Sequence, residues 1–197
     1  RIEKVLRATK EKGELLKLLS CDDEISEAEA ITNKIKSLNN YNQNPIDIVE
    51  DVIHSKNWVF SRAADHELVA EISSHWSQYR LYFSWSEQIK AINFTVTFDL
   101  KFPQSKSNLA YELLARINEK LWIGHFDITS ANGIPAYRHT VLEPSGNEIL
   151  YNQLEDLVDI AIYECEKYYP AFQLLLFEDS HPQDVLELCA IDVVGRA

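Results

Sequence analysis

At 197 residues, with 46% hydrophobic and 25% charged side chains, the chain has a globular composition and room for one domain plus an appendage. Its formal charge of −12 argues against nucleic acid, which needs clustered cations, and against anionic membranes. Residues 1–43 hold eight Lys/Arg and eight Asp/Glu, so the excess of 23 acidic over 11 basic side chains falls in residues 44–197 and suits solubility or a basic partner.

Cys21, Cys165 and Cys189 are odd in number and lack a C-x-x-C spacing, which fits a reduced, cytoplasmic setting. No apolar run reaches the ~18–20 residues that span a bilayer, and no signal-peptide pattern is visible.

Residues 1–43 read as a helical arm of two segments, one with Ile2, Val5, Leu6 and Leu15 to Leu19, the other with Ile25, Ala28, Ile31, Ile35 and Leu38. A polar string from Asn39 to Asn44 separates the arm from an α+β domain at 44–197. Asn44-Pro45-Ile46-Asp47 is a helix start, with Asn as cap, Pro at the first helical position and Asp facing the positive helix end.

The period then changes from 3.6 to 2. Trp58 and Phe60, then Leu68, Ala70 and Ile72, then Tyr79, Leu81, Phe83 and Trp85, then Ile92, Phe94, Val96, Phe98 and Leu100 alternate with polar neighbours. Short polar connections predict an antiparallel meander with one oily and one polar face. Ser105 or Ser107 is expected to cap a helix with the stripe Leu109, Leu113, Leu114, Ile117 and Leu121. A hairpin follows, turned at Asn132-Gly133 in a register that sets position 127 opposite 138. That register puts Phe126, Ile128, Tyr137, His139 and Val141 on one face, with His125, Asp127, Thr129, Arg138 and Thr140 on the other.

From Gly146 a long acidic helix keeps one stripe through Leu150, Leu154, Val158, Ala161, Cys165, Phe172 and Leu175. The stripe stays in register past Pro170, which predicts one kinked helix rather than two. Cys165 on that stripe reads as a small hydrophobe. Pro182 restarts a last short helix through Val185, Leu186 and Cys189.

No catalytic residue is assigned. His125, Asp127 and Arg138 share a hairpin face and could orient a general base, yet no nucleophile motif accompanies them. An Asp127–Arg138 cross-strand ion pair beside a solvated histidine is therefore the favoured reading of the three. The six histidines are scattered without paired-ligand spacing, so neither a metal nor another cofactor is expected. His139 reads as a core histidine. The polar sheet face holds Arg80, Tyr82, Ser84, Asn93, Thr95, Thr97 and Asp99, and Tyr and Arg are residue types that interfaces favour. Arg80, Tyr82, Asn93, Thr95, Thr97 and Asp99 are therefore the candidate partner-binding residues.

Several ordered blocks resemble the YbjN family of bacterial sensory transduction regulators. They are Asn44 to Asp51 with Trp58 and Phe60, Tyr111 to Leu114, Asn118 to Asp127, Tyr137 to His139, Gln153 to Leu157 and Glu164 to Phe172. The similarity covers about residues 44–195. It implies a fold like that of type III secretion chaperones: a twisted antiparallel sheet with helices on one face, often in a dimer. It supplies no catalytic residues, and residues 1–43 fall outside it.

The expected function is that of a cytoplasmic, non-enzymatic regulator or chaperone-like adaptor that binds a protein partner, with no role at nucleic acid or membrane. A small-ligand sensor or enzyme with a pocket between sheet and helices near His125, Asp127 and Arg138 is the alternative. A homodimer built through the arm and the acidic helix is a third expectation.

Overall fold

The computed structural model describes residues 44–129, 131–142, 147–178 and 180–194, with the side chains of 147–149 and 189–194 excepted. The N-terminal arm, Cys21 and the Cys189 side chain lie outside what is described. All described residues belong to one unit, Asn40–Ala197.

Helix α1 (Pro45–Ser55) begins as its sequence dictates. The Asn44 side chain accepts from the Ile46 amide at 3.0 Å, satisfying one of the free amides of the first turn. The same side chain donates to the Asp65 carbonyl, which fastens the helix start to the first strand turn. Strands β1 (Val59–Ala64), β2 (Glu67–Ser73), β3 (Gln78–Ser86) and β4 (Ala91–Thr97) form the expected antiparallel meander. After helix α2 (Ser107–Asn118), strands β5 (His125–Ile128) and β6 (Pro135–Leu142) complete a six-stranded sheet in the order β1-β2-β3-β4-β6-β5. The hairpin thus enters with its second strand beside β4 and leaves β5 as an edge.

Helix α3 (Asn147–Phe177) is continuous through Pro170, as its unbroken stripe predicts, and α4 (Pro182–Val194) follows. The oily faces of strands and helices meet in one core. Phe98 sits among Tyr79, Phe126, Tyr169 and Phe172 at ring centroid distances of 5.6, 6.0, 5.9 and 5.4 Å. Aromatic burial of this kind dominates core energetics and locks α3 onto the sheet. Cys165 is buried on the α3 stripe, and burial pushes its thiol well above the usual range, as for an inert core residue.

Two local expectations differ from the structure. The hairpin register is Phe126 opposite Tyr137 and Asp127 opposite Ala136, two residues away from the expected one. The cause is the turn: Thr129 pairs with Ile134, so Asn132-Gly133 lies inside a longer loop rather than forming a two-residue turn. A shift of two preserves which side chains face the core, so the face assignment stands. Gly133 has a positive φ and accepts at its carbonyl from the Phe102 amide at 2.8 Å. A Cβ there would lie 2.2 Å from the Phe102 carbonyl oxygen. The second difference is the start of α2, where Lys106 occupies the cap position with no side-chain cap bond and a 3-10 turn, Gln104–Lys106, precedes it. The Lys106 ammonium instead reaches the carbonyls of Leu175 and Glu178 at 3.1 and 3.0 Å, at the negative end of α3.

Candidate functional site

The side of the sheet turned away from the core is built by strict alternation. Its central row runs Val69, Tyr82, Thr95, Arg138, His125 across β2, β3, β4, β6 and β5. The neighbouring rows run Glu71, Arg80, Thr97, Ala136, Asp127 and Glu67, Ser84, Asn93, Thr140. Five of the six candidate residues therefore lie side by side on β3 and β4, and Asp99 is exposed just beyond the end of β4.

The face is polar but largely self-bonded. Arg80 donates through Nε to Glu71 Oε1 at 2.9 Å, and its guanidinium is held protonated first by the Tyr82 hydroxyl and then by Glu71. Asn93 donates to Thr140 Oγ1 at 3.2 Å, Thr95 donates to Asn93 Oδ1 at 3.3 Å, and Thr97 donates to the Arg80 carbonyl at 3.4 Å. Tyr82 is 37% exposed whereas Thr95 is only 9% exposed. Contrary to expectation, Thr95 does not offer itself to solvent: it stands on the predicted face but is walled in by Tyr82 and Arg138 in its own row. Strand alternation assigns a face; the size of cross-strand neighbours decides what remains accessible.

His125, Asp127 and Arg138 lie on this same outward face, on the opposite side of the sheet from the core. A pocket between sheet and helices is therefore not where these three residues point. Arg138 Nε lies 3.4 Å from Asp127 Oδ2, close enough for attraction but not aligned as a hydrogen bond, and that nitrogen is buried. Asp127 uses its other oxygen to accept from the Ile128 amide at 2.7 Å. Among the described residues a cavity of about 270 Å³ lies instead between α2 and α4, lined by Arg116, Glu119, Lys120, Gln183, Leu186 and Glu187. No group of three or more His, Cys, Asp or Glu side chains that could hold a metal ion occurs among the described residues.

The segment from Asn118 to Asp127 has a structural reading. The Asn118 amide accepts from Phe126 N at 2.7 Å and donates to Phe126 O at 3.0 Å, so one side chain does what a neighbouring strand would do. Tyr137 donates its hydroxyl to the Ile123 carbonyl at 2.8 Å, passing over Gly124. Trp122, beside this knot, is fully exposed, which alternation arguments had no means of finding because it stands outside any strand or helix.

The chain matches the YbjN family, described as "Putative bacterial sensory transduction regulator", over residues 45–174. It belongs to that family. A crystal structure of "YbjN, a putative transcription regulator from E. coli" is similar at 11% identity and a TM-score of 0.46, covering 75% of this chain and 93% of that one. No curated protein matches the chain. In this YbjN-family chain the fold is the expected α+β arrangement, one antiparallel sheet with its helices packed against it. No helix among the described residues is long and apolar enough to cross a membrane.

His139, on the core side and half-buried, has its imidazole pushed toward the neutral form by burial and then by the nearby His125. The unfolded chain therefore takes up this proton first as pH falls through the ordinary histidine range near 6.5, and folding stability declines below that pH. Thermal unfolding between pH 7.5 and 5.5 should show a shallower decline for His139→Gln than for the native chain. Parallel declines would refute the assignment.

Proposed function

We propose that this chain is a non-enzymatic cytoplasmic regulator that acts by docking a protein partner on the outward sheet face around Arg80, Tyr82, Asn93, Thr97 and Asp99, with Thr95 as a buried support. The observation that carries this reading is the asymmetry of the sheet. Its inner side is spent on the core, while its outer side presents Tyr82 and Arg80 from the central strand β3. Tyr and Arg contribute large contact area and fixed donors, which is why they dominate binding hot spots. The acidic surface favours a partner carrying basic groups.

A bacterial lysate passed over immobilised protein, with Tyr82→Ala combined with Thr97→Arg as the control, tests the proposal. A partner held by the native chain and lost from the folded double variant is the expected result. Equal recovery on both, or nothing beyond an unrelated acidic protein, counts against it.

A further inference from the structure

The two edges of the sheet are treated differently. On β5 the outward amides are those of Phe126 and Ile128, and both are consumed: Asn118 takes one and Asp127 the other. The Phe126 carbonyl is taken as well. On β1, at the far edge, the side chains are exposed or half-buried throughout Val59–Ala64, and Val59 is 77% exposed. Among the described residues nothing pairs with the free side of Val59 to Arg62.

Exposed edges are normally blunted by lysines, prolines, bulges or a covering element, because their unpaired amides and carbonyls template further strands. Among the described residues β1 has no lysine, proline, bulge or covering element over its first four positions. Its one charge, Arg62, is folded back to Asp47 at 2.6 Å and to the Asp65 carbonyl at 2.8 Å. The only irregularity in pairing comes at the far end, between Arg62 and Ala64.

We infer that the free edge of β1 is a strand-addition site that takes an extended segment of another protein in which lysine or arginine alternates with apolar side chains. Charge selects that composition. On the outward side Glu71, which already holds Arg80 through Oε1, stands opposite Val59 and Glu67 opposite Ala64, so a long cationic side chain lying over Val59 shares a carboxylate. On the inward side α1 sets Asp47 and Glu50 beneath the strand, two carboxylates against the single charge of Arg62 that pairs with them, with Phe60 offering an apolar patch packed on the core. A second copy of this chain is a poor occupant, since it would bring the same carboxylates and another −12 of charge to the contact. Backbone bonds would supply affinity and the alternating side chains the choice of partner. The inference rests on the docking reading above only in that both place a protein segment against this sheet; the edge and the face are separate surfaces.

The probe is a short acetylated, fluorescently labelled peptide of alternating lysine and valine, titrated into the full chain. Matched peptides carry glutamate for lysine, or N-methyl groups on one or the other alternate set of residues. Expected are binding of the lysine peptide only, slowed hydrogen exchange at Val59 to Arg62, and loss of binding from one N-methyl set but not the other. Val59→Lys, on an exposed side chain that leaves the fold intact, should weaken binding roughly tenfold or more through repulsion and lost pairing. Binding untouched by either N-methyl set but abolished by Tyr82→Ala with Thr97→Arg would overturn the edge site and leave the face reading standing. No binding, or equal binding of the glutamate peptide, also overturns it. So does a concentration-dependent dimer that protects β1 amides without peptide, which would make a second copy the occupant.

Discussion

Gly124→Ala is expected to lower folding stability by about 3 kcal/mol, from a left-handed backbone that costs an L-residue roughly 1–2 kcal/mol and a disrupted buried hydrogen bond worth about 1–3 kcal/mol. Gly124 has φ +69°, and a Cβ built on it would stand 2.2 Å from the Tyr137 hydroxyl. A flexible side chain could swing away at little cost. Tyr137 cannot, because it is fully buried, donates to the Ile123 carbonyl and packs edge-on against Phe126 at 5.4 Å. Urea unfolding of Gly124→Ala, Gly124→Asn and Tyr137→Phe separates the contributions. Asn tolerates positive φ but keeps the clash, whereas Phe loses only the hydrogen bond. A Gly124→Ala loss below about 0.5 kcal/mol, the range of neutral surface changes, would show that the close approach is not enforced.

How far the sequence carries depends on which interaction decides each feature. Local chemistry was legible: the Asn44-Pro45 helix start, the period-2 strands, the unbroken α3 stripe and the sorting of hairpin side chains between faces all follow from bonds and burial within a few residues. Features decided by distant partners were not. Asn132-Gly133 has the composition of a hairpin tip, but the Phe102 backbone, about thirty residues earlier, draws that loop into a different pairing. Lys106 was no candidate cap for α3, seventy residues on, because nothing in a helix stripe records where a lysine ends. By alternation alone Thr95 is as open as Thr97, since the pattern says nothing about the bulk of Tyr82 and Arg138 beside it.

The same distinction bears on function. The block from Asn118 to Asp127, one of those through which the chain resembles its family, is occupied with holding itself together. Asn118, Gly124 and Phe126, with Tyr137 from a second block, bond or pack directly on one another. Side chains committed in this way mark a fold rather than a chemistry. The surfaces proposed above for docking, Arg80 and Tyr82 on the outward face and the β1 edge, lie outside that knot. That is why the functional reading is placed there and not on His125 and Asp127, which sit in the most recognisable stretch.

Asn118→Ala is the sharper test of that knot, with an expected loss of about 2–3 kcal/mol, because each partly buried backbone group left without a partner costs roughly 1–3 kcal/mol and Ala strands both the amide and the carbonyl of Phe126. Asn118→Asp should be no better at neutral pH: it still accepts from the amide, but it sets a carboxylate oxygen against the Phe126 carbonyl where a donor is needed. Leu at the same position fills the space without either bond and should match Ala. Beyond stability, the Ala variant bares the β5 edge, whose unpaired amide and carbonyl can then template a further strand. Light scattering across a concentration series should show more self-association of Asn118→Ala than of the native chain, and urea unfolding should show the lost stability. If stability and association both stay at native values, the amide is not sealing the edge, and the contrast between the β5 and β1 edges loses its physical basis.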